Sequence, residues 1–135
     1  MPSGQFTEES FAASSSPTLQ ERQHMRDQER RLRSEADFTS KVCQTRVSAS
    51  IHWPSFETRG TGRRVASYCD VALSAIERLC REDVEKAKGL VRNLKCGAGK
   101  KRAVSLSGST LNYAVGPSPS RADHDFVYKY LKKKL

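Results

Sequence analysis

The chain lacks any apolar run approaching the roughly 18 residues that a membrane-spanning helix requires, and its mean hydropathy is −0.67, so no bilayer crossing is expected. It also opens without a legible secretory signal. MPSGQFTEESFAASSSPTLQ carries Glu8 and Glu9 where such a signal carries Lys or Arg, and it has no continuous apolar core. Three explanations stay open: a protein kept inside the cell, a mature or engineered chain, or export by a signal of another kind. Metal-binding knuckles are missing as well. Cys43, Cys69, Cys80 and Cys96 stand 26, 11 and 16 residues apart, with no C-x2-C pair to hold two thiolates on one ion. Neither a metal nor a cofactor is expected.

Histidine is scarce, with three in the chain. A thiol enzyme needs a cysteine beside a histidine base, yet Cys69 and Cys80 fall on an apolar helical stripe where a thiol is inert, and His52 falls on a polar strand face. His124 lies between Asp123 and Asp125 at the start of a helix, where acids already have a reason to be: they favour the helix dipole. GAGKK lacks a phosphate loop's pattern, since Lys101 stands where the hydroxyl should be and a strand follows. No catalytic residue is assigned; a small enzyme around His52 or His124 ranks third among the functional readings.

Acid is short in only part of the chain. Residues 1–40 hold five Arg against seven acids, a net of −2, so the remainder carries +11 of the total of +9. A field of that sign draws polyanions without choosing among them. Lys95, Lys100, Lys101 and Arg102, together with Lys129, Lys132, Lys133 and Lys134, are the candidate polyanion-binding residues, with Tyr113, Tyr128 and Tyr130 available for stacking. No helix-turn-helix, KH or RNP motif frames them.

Along the chain, residues 1–18 are rich in Ser and poor in apolar groups and read as a disordered tail. Residues 19–40 are full of helix formers, with Glu and Arg three or four apart. Leu19, Met25, Leu32 and Phe38 are too sparse for a coiled-coil seam, so this segment reads as an exposed, marginally helical arm. Residues 41–135 read as one basic α+β domain. In CQTRVSASIHW, Cys43, Val47, Ala49, Ile51 and Trp53 alternate with polar residues, predicting a strand that buries Trp53 and ends at Pro54. Arg63–Cys80 has the three- and four-residue apolar spacing of a core-facing helix, and Asp83–Val91 that of a shorter one. NLKC and RAVSLSGSTLNYAV predict a meander of strands, and Ser120 with Asp123 opens a last helix bearing Phe126, Val127, Tyr130 and Leu131 on one stripe. The expected fold is α+β, order β-α-α-β-β-β-α: a mainly antiparallel sheet of three to four strands with helices on one face.

The cysteines are even in number and all lie in the domain, which suits two disulfides in an oxidising compartment; buried free thiols in the cytosol are the other reading. If Arg63–Cys80 is one helix, Cys69 and Cys80 stand about 16 Å apart along its axis. Disulfide Cα atoms lie within about 7 Å, so that pair is forbidden, and with it Cys43–Cys96. A helix returning across the sheet brings its end to the strand's start, favouring Cys43–Cys80 and Cys69–Cys96 over Cys43–Cys69 with Cys80–Cys96.

SIHWPSF, SYCDVAL with RLC, KC, VSLSGSTLNYAV and DFVYKYL together resemble, over roughly residues 43–135, a class of small, uncharacterised bacterial exported proteins with four cysteines. The resemblance implies an extracytoplasmic α+β module, periplasmic or extracellular, and the missing export signal is where this sequence departs from it; a cytoplasmic location is the alternative. The leading functional reading is a non-enzymatic binding or structural module, disulfide-stapled, for an anionic polymer or acidic protein. A nucleic-acid-binding accessory protein using the basic surface is the alternative.

Overall fold

A computed structural model describes residues 18–56 and 64–135. The expected disordered tail lies outside them except for Thr18, whose hydroxyl accepts the Glu21 amide while its own amide donates to the Glu21 carboxylate, a capping box that starts helix α1, Leu19–Cys43. The chain continues through strand β1 (Ser48–Ile51), a 3-10 turn over Trp53–Phe56, helix α2 (Val65–Glu82), the short helix α3 (Val84–Ala87), strands β2 (Asn93–Ala98), β3 (Ala103–Ser107) and β4 (Thr110–Val115), and helix α4 (Ala122–Lys132).

The class is α+β, and the sheet is mixed. Its strand order is β1-β2-β4-β3, with β1 parallel to β2, β2 parallel to β4 and only β3 antiparallel to β4. The expected mainly antiparallel meander is corrected here: β4 inserts between β2 and β3. The chain crosses over the end of β4 to do so. Gly99 donates its amide to the Val115 carbonyl at 2.9 Å, and Gly116 clears the path, because a Cβ there would stand 2.9 Å from the Arg102 backbone nitrogen. Burial explains the order. β4 alternates buried Leu111, Tyr113 and Val115 with half-exposed neighbours, as a central strand must, whereas β3 has no buried residue and takes the edge.

The segment expected as an exposed arm is α1, and its C-terminal half belongs to the core. Gln28, Leu32, Ala36, Thr39 and Cys43 form a buried stripe three or four residues apart, and α1 packs along α2 through it. The Gln28 side-chain carbonyl accepts the Ala66 amide at 3.0 Å, meeting a donor that the start of α2 leaves free. Cys43 is the last residue of α1, not the start of a strand: Gln44 closes the helix in the left-handed region at φ 56°. The Ser40 hydroxyl then accepts the Val47 amide at 2.9 Å and aims the chain into β1. Trp53 is half-buried, its indole N–H donating to Glu29 at 2.7 Å.

The disulfides are Cys43–Cys80 and Cys69–Cys96, the pairing a continuous α2 favours. One joins the C-terminal ends of α1 and α2; the other ties α2 to the middle of β2. All three long helices lie on the same face of the sheet, over Leu94, Cys96, Leu111 and Tyr113. α4 also guards the outer edge, where the Tyr130 hydroxyl accepts the Leu106 amide of β3 at 2.9 Å. Replacing Tyr130 by Phe leaves that edge amide without its partner. The expected loss is about 0.5–1.5 kcal/mol, read as a lower urea midpoint with faster exchange of the Leu106 amide.

Candidate functional site

Residues paired across strands share a face, so the register displays the side of the sheet away from the helices as cross-strand rows. The first is Ser48, Asn93, Thr110 and Ser107. The second is Ser50, Lys95, Asn112 and Ser105. The third, at the end where the parallel strands terminate, is His52 followed by Gly97, Ala114 and Ala103. No acidic side chain and no Phe, Trp or Tyr stands in these rows, and none of their residues is buried. Because the third row has almost no side chains beyond His52, the face sinks there into a shallow depression of about 440 Å³ between His52, Lys95, Gly97, Ala103, Ser105 and Asn112. Open sheets with parallel strands place ligands outside the carboxyl ends of those strands, which is this end.

The depression has a braced wall. The Ser55 hydroxyl donates to the His52 carbonyl at 2.6 Å and accepts the Ala98 amide at 2.9 Å, drawing the 3-10 turn against β2. Gly97 permits that approach, since a Cβ there would meet Ser55 Oγ at 3.0 Å. From behind, the Cys69–Cys96 bond fixes the strand between Lys95 and Gly97.

Charge is sorted between the two layers. Every described Asp and Glu stands on α1, α2, α4 or the segment of α3 and its Asp83 cap, and from Lys86 to Ala122 the chain holds no acid. Among the described residues, none forms an ion pair with Lys95, Lys100 or Lys101.

The candidate polyanion residues therefore divide. Lys95 stands on the free sheet face, and exposed Lys100 and Lys101 occupy the turn at its end. Arg102 turns back to the helices, donating to Asp123 at 3.0 Å and lying 4.2 Å over the Phe126 ring. Lys132 bonds Glu82 at 3.0 Å, which the Tyr128 hydroxyl also reaches; these contacts hold the Glu82 carboxyl below and the Lys132 ammonium above their usual ranges. Lys134 lies 5.1 Å over Tyr130, while Lys129 and Lys133 are exposed on α4 and at its end. The tyrosines singled out for stacking are engaged: Tyr113 is buried, Tyr128 lies beneath Arg78 at 3.7 Å, and Tyr130 holds the β3 edge. Burial, then the nearby Asp123, push the Tyr113 phenol up. Asp123 and Asp125, beside His124, bond Arg102 and Arg78.

A second cavity, of about 220 Å³, opens between α1 and α2 and is lined by Arg31, Glu35, Ala66, Ser67 and Asp70. Burial, hydrogen bonding to Glu35 and the charges of Glu35 and Glu77 push the Asp70 carboxyl up to about 7. Its Oδ1 is buried without a hydrogen-bond partner.

Sequence reading found Lys95 but not its companions Ser105, Asn112, Gly97, Ala103 and Ala114. The signal was the polar half of each strand's alternation, which forms a surface only once the register is known. Comparisons of the chain with protein-family models, with curated proteins and with solved structures return no match.

Proposed function

We propose that this protein is a non-enzymatic binding module, stapled by its two disulfides and acting outside the cytoplasm, that holds an anionic polymer or acidic protein against the free face of its sheet. The observation that carries the proposal is the sorting of charge: a sheet face with no acidic side chain in its rows, centred on Lys95, which forms no ion pair with any described residue, and bordered by Lys100 and Lys101, backed by helices that hold every described acid. Low-dielectric backbone beneath the lysine and the absence of competing carboxylates favour an incoming anion. The disulfides support an oxidising compartment, in keeping with the resemblance to exported four-cysteine proteins. The nucleic-acid alternative draws less support, because the tyrosines that would stack bases are engaged elsewhere.

Charge-matched variants test the proposal. Lys95→Glu/Lys101→Glu on the sheet side and Lys129→Glu/Lys133→Glu on the helix side alter net charge equally. On an immobilised polyanion, the sheet-side pair is expected to elute at clearly lower salt than the parent and the helix-side pair near the parent. Equal losses, or a larger loss on the helix side, would remove the free face from the proposal.

A further inference from the structure

Resting on the reading of the free sheet face as an anion-binding surface, we infer that its ligand is an acidic polysaccharide, seated in the depression over Gly97, Ala114 and Ala103 with an anionic group on Lys95. Three observations single out this chemistry.

The first is charge density. Around Lys95 the same row offers Ser50, Asn112 and Ser105, all uncharged donors and acceptors. A nucleic acid carries a charge on every nucleotide and is matched by dense cations; an acidic peptide likewise presents successive carboxylates. An acidic sugar chain sets several hydroxyls beside each of its anionic groups, which matches Lys95 set among the hydroxyls of Ser50 and Ser105 and the amide of Asn112, each able to donate or accept.

The second is shape. The third row is floored by hydrogen and methyl groups, leaving a channel that runs across the strands next to Lys95. At about 4.8 Å per strand, the three strands that floor it, β2, β4 and β3, give it a length of about 10 Å up to the wall of His52 and Ser55, enough for about two linked pyranose rings. A ring lying there exposes its edge hydroxyls to Asn112 and Ser105 on one side and the His52 imidazole at the end.

The third is rigidity. Ser55 ties the channel's wall to β2, and the Cys69–Cys96 bond holds that strand from beneath. A preformed site loses little freedom on binding, which suits a ligand held by a few scattered polar contacts.

The inference separates from the broader reading by what filling the channel does. Oligomers of a polyuronate and of a sulfated glycan, with polyglutamate, single-stranded DNA and a neutral glucan as comparisons, are titrated at physiological salt into the parent and into Ala114→Leu and Ala103→Leu. Ala103 is exposed on the edge strand, so its enlargement leaves the core alone and serves if the central variant does not fold. The acidic oligosaccharides are expected to bind saturably, shifting the amide resonances of Gly97 and Ala114, with the uronate and sulfate arms identifying the anionic group. Either leucine should weaken them about tenfold and leave retention of polyglutamate unchanged. Polyglutamate or DNA binding as tightly as the sugars, with the leucine variants indifferent, would overturn the sugar inference and leave the polyanion reading standing. No binding to any of the anions would overturn both.

Discussion

Reduction of the two disulfides is expected to unfold the chain under conditions where the oxidised protein is stable. Cys43–Cys80 and Cys69–Cys96 close loops of 37 and 27 residues. The chain-entropy relation assigns loops of that length about 3.5–4 kcal/mol each. The loops overlap over residues 69–80, so the second closure adds less than the first and the joint effect falls below the sum. Even so, it is comparable to the whole net stability of a small domain, about 5–15 kcal/mol. Mass is the reason the dependence is steep: a chain of 135 residues whose core must also hold a long, largely polar helix has little surplus apolar burial to fall back on. Urea unfolding with and without a thiol reductant, with thiols counted at each point, measures this. The double Cys→Ala variants apportion it, each lowering stability by about 2–5 kcal/mol. A reduced protein with four titratable thiols and an unchanged midpoint would show that the bonds are dispensable.

The two bonds also differ in what their loss exposes. Without Cys43–Cys80, α1 is freed at its C-terminal end, and with it the Ser40 hydrogen bond that starts β1. Without Cys69–Cys96, β2 is released from α2 directly behind the proposed channel. Sugar or polyanion binding is therefore expected to suffer more from Cys69→Ala/Cys96→Ala than from Cys43→Ala/Cys80→Ala at temperatures where both remain folded.

What the sequence made legible was periodicity. The α2 stripe of Val65, Tyr68, Cys69, Ala72, Ile76 and Leu79 lies against the core as its spacing predicted, Tyr68 half-buried and the others buried, and the length of that helix excluded Cys69–Cys80 while its return across the sheet favoured the pairing found. α1 was illegible for the opposite reason. Its large apolar residues, too sparse for a seam, mostly stay out of the core: Leu19 and Phe38 are 60% and 51% exposed, and of Leu19, Met25, Leu32 and Phe38 only Leu32 is buried. The helix packs instead through Gln28, Ala36, Thr39 and Cys43, small or polar groups that let two helices approach closely and whose burial depends on partners far along the chain. Strand order failed for a similar reason. Alternation tells which side chains face the core, but β2 beside β3 and β2 beside β4 satisfy it equally. The choice was made by where the most buried strand had to lie and by a glycine that lets the chain cross it. The candidate site depends on that order, since Lys95 joins Asn112 and Ser105 only when β4 lies between β2 and β3.

Asp70→Asn is expected to make the protein more stable than the parent at pH 8 and no more stable at pH 4. Asp70 lies half-buried on α2 against Glu35 of α1, with Arg31 and Ser67 lining the same cavity and Glu77, bound by Thr39 and reached by Arg81, further along α2. Its carboxyl is pushed from 3.8 up to about 7 by burial first and by Glu35 and Glu77 next. A raised folded-state value means that the folded chain keeps this proton more tightly than the unfolded one. The stabilisation is whole below about pH 4, where both states are protonated, and it drains away as pH rises to about 7, beyond which the folded protein holds a second carboxylate facing Glu35. Undamped, such a rise corresponds to about 4 kcal/mol; water reaching part of the side chain screens the charges and brings the expectation to about 2 kcal/mol. An asparagine keeps the shape and a donor for Glu35 but cannot ionise, so the parent and the variant should converge at low pH and separate across pH 4–7. Urea midpoints for both proteins over that range provide the measurement, and subtracting one curve from the other removes the titration of every group they share. Parallel curves would mean that Asp70 ionises freely in the fold and that the α1–α2 contact takes no part in the response to pH.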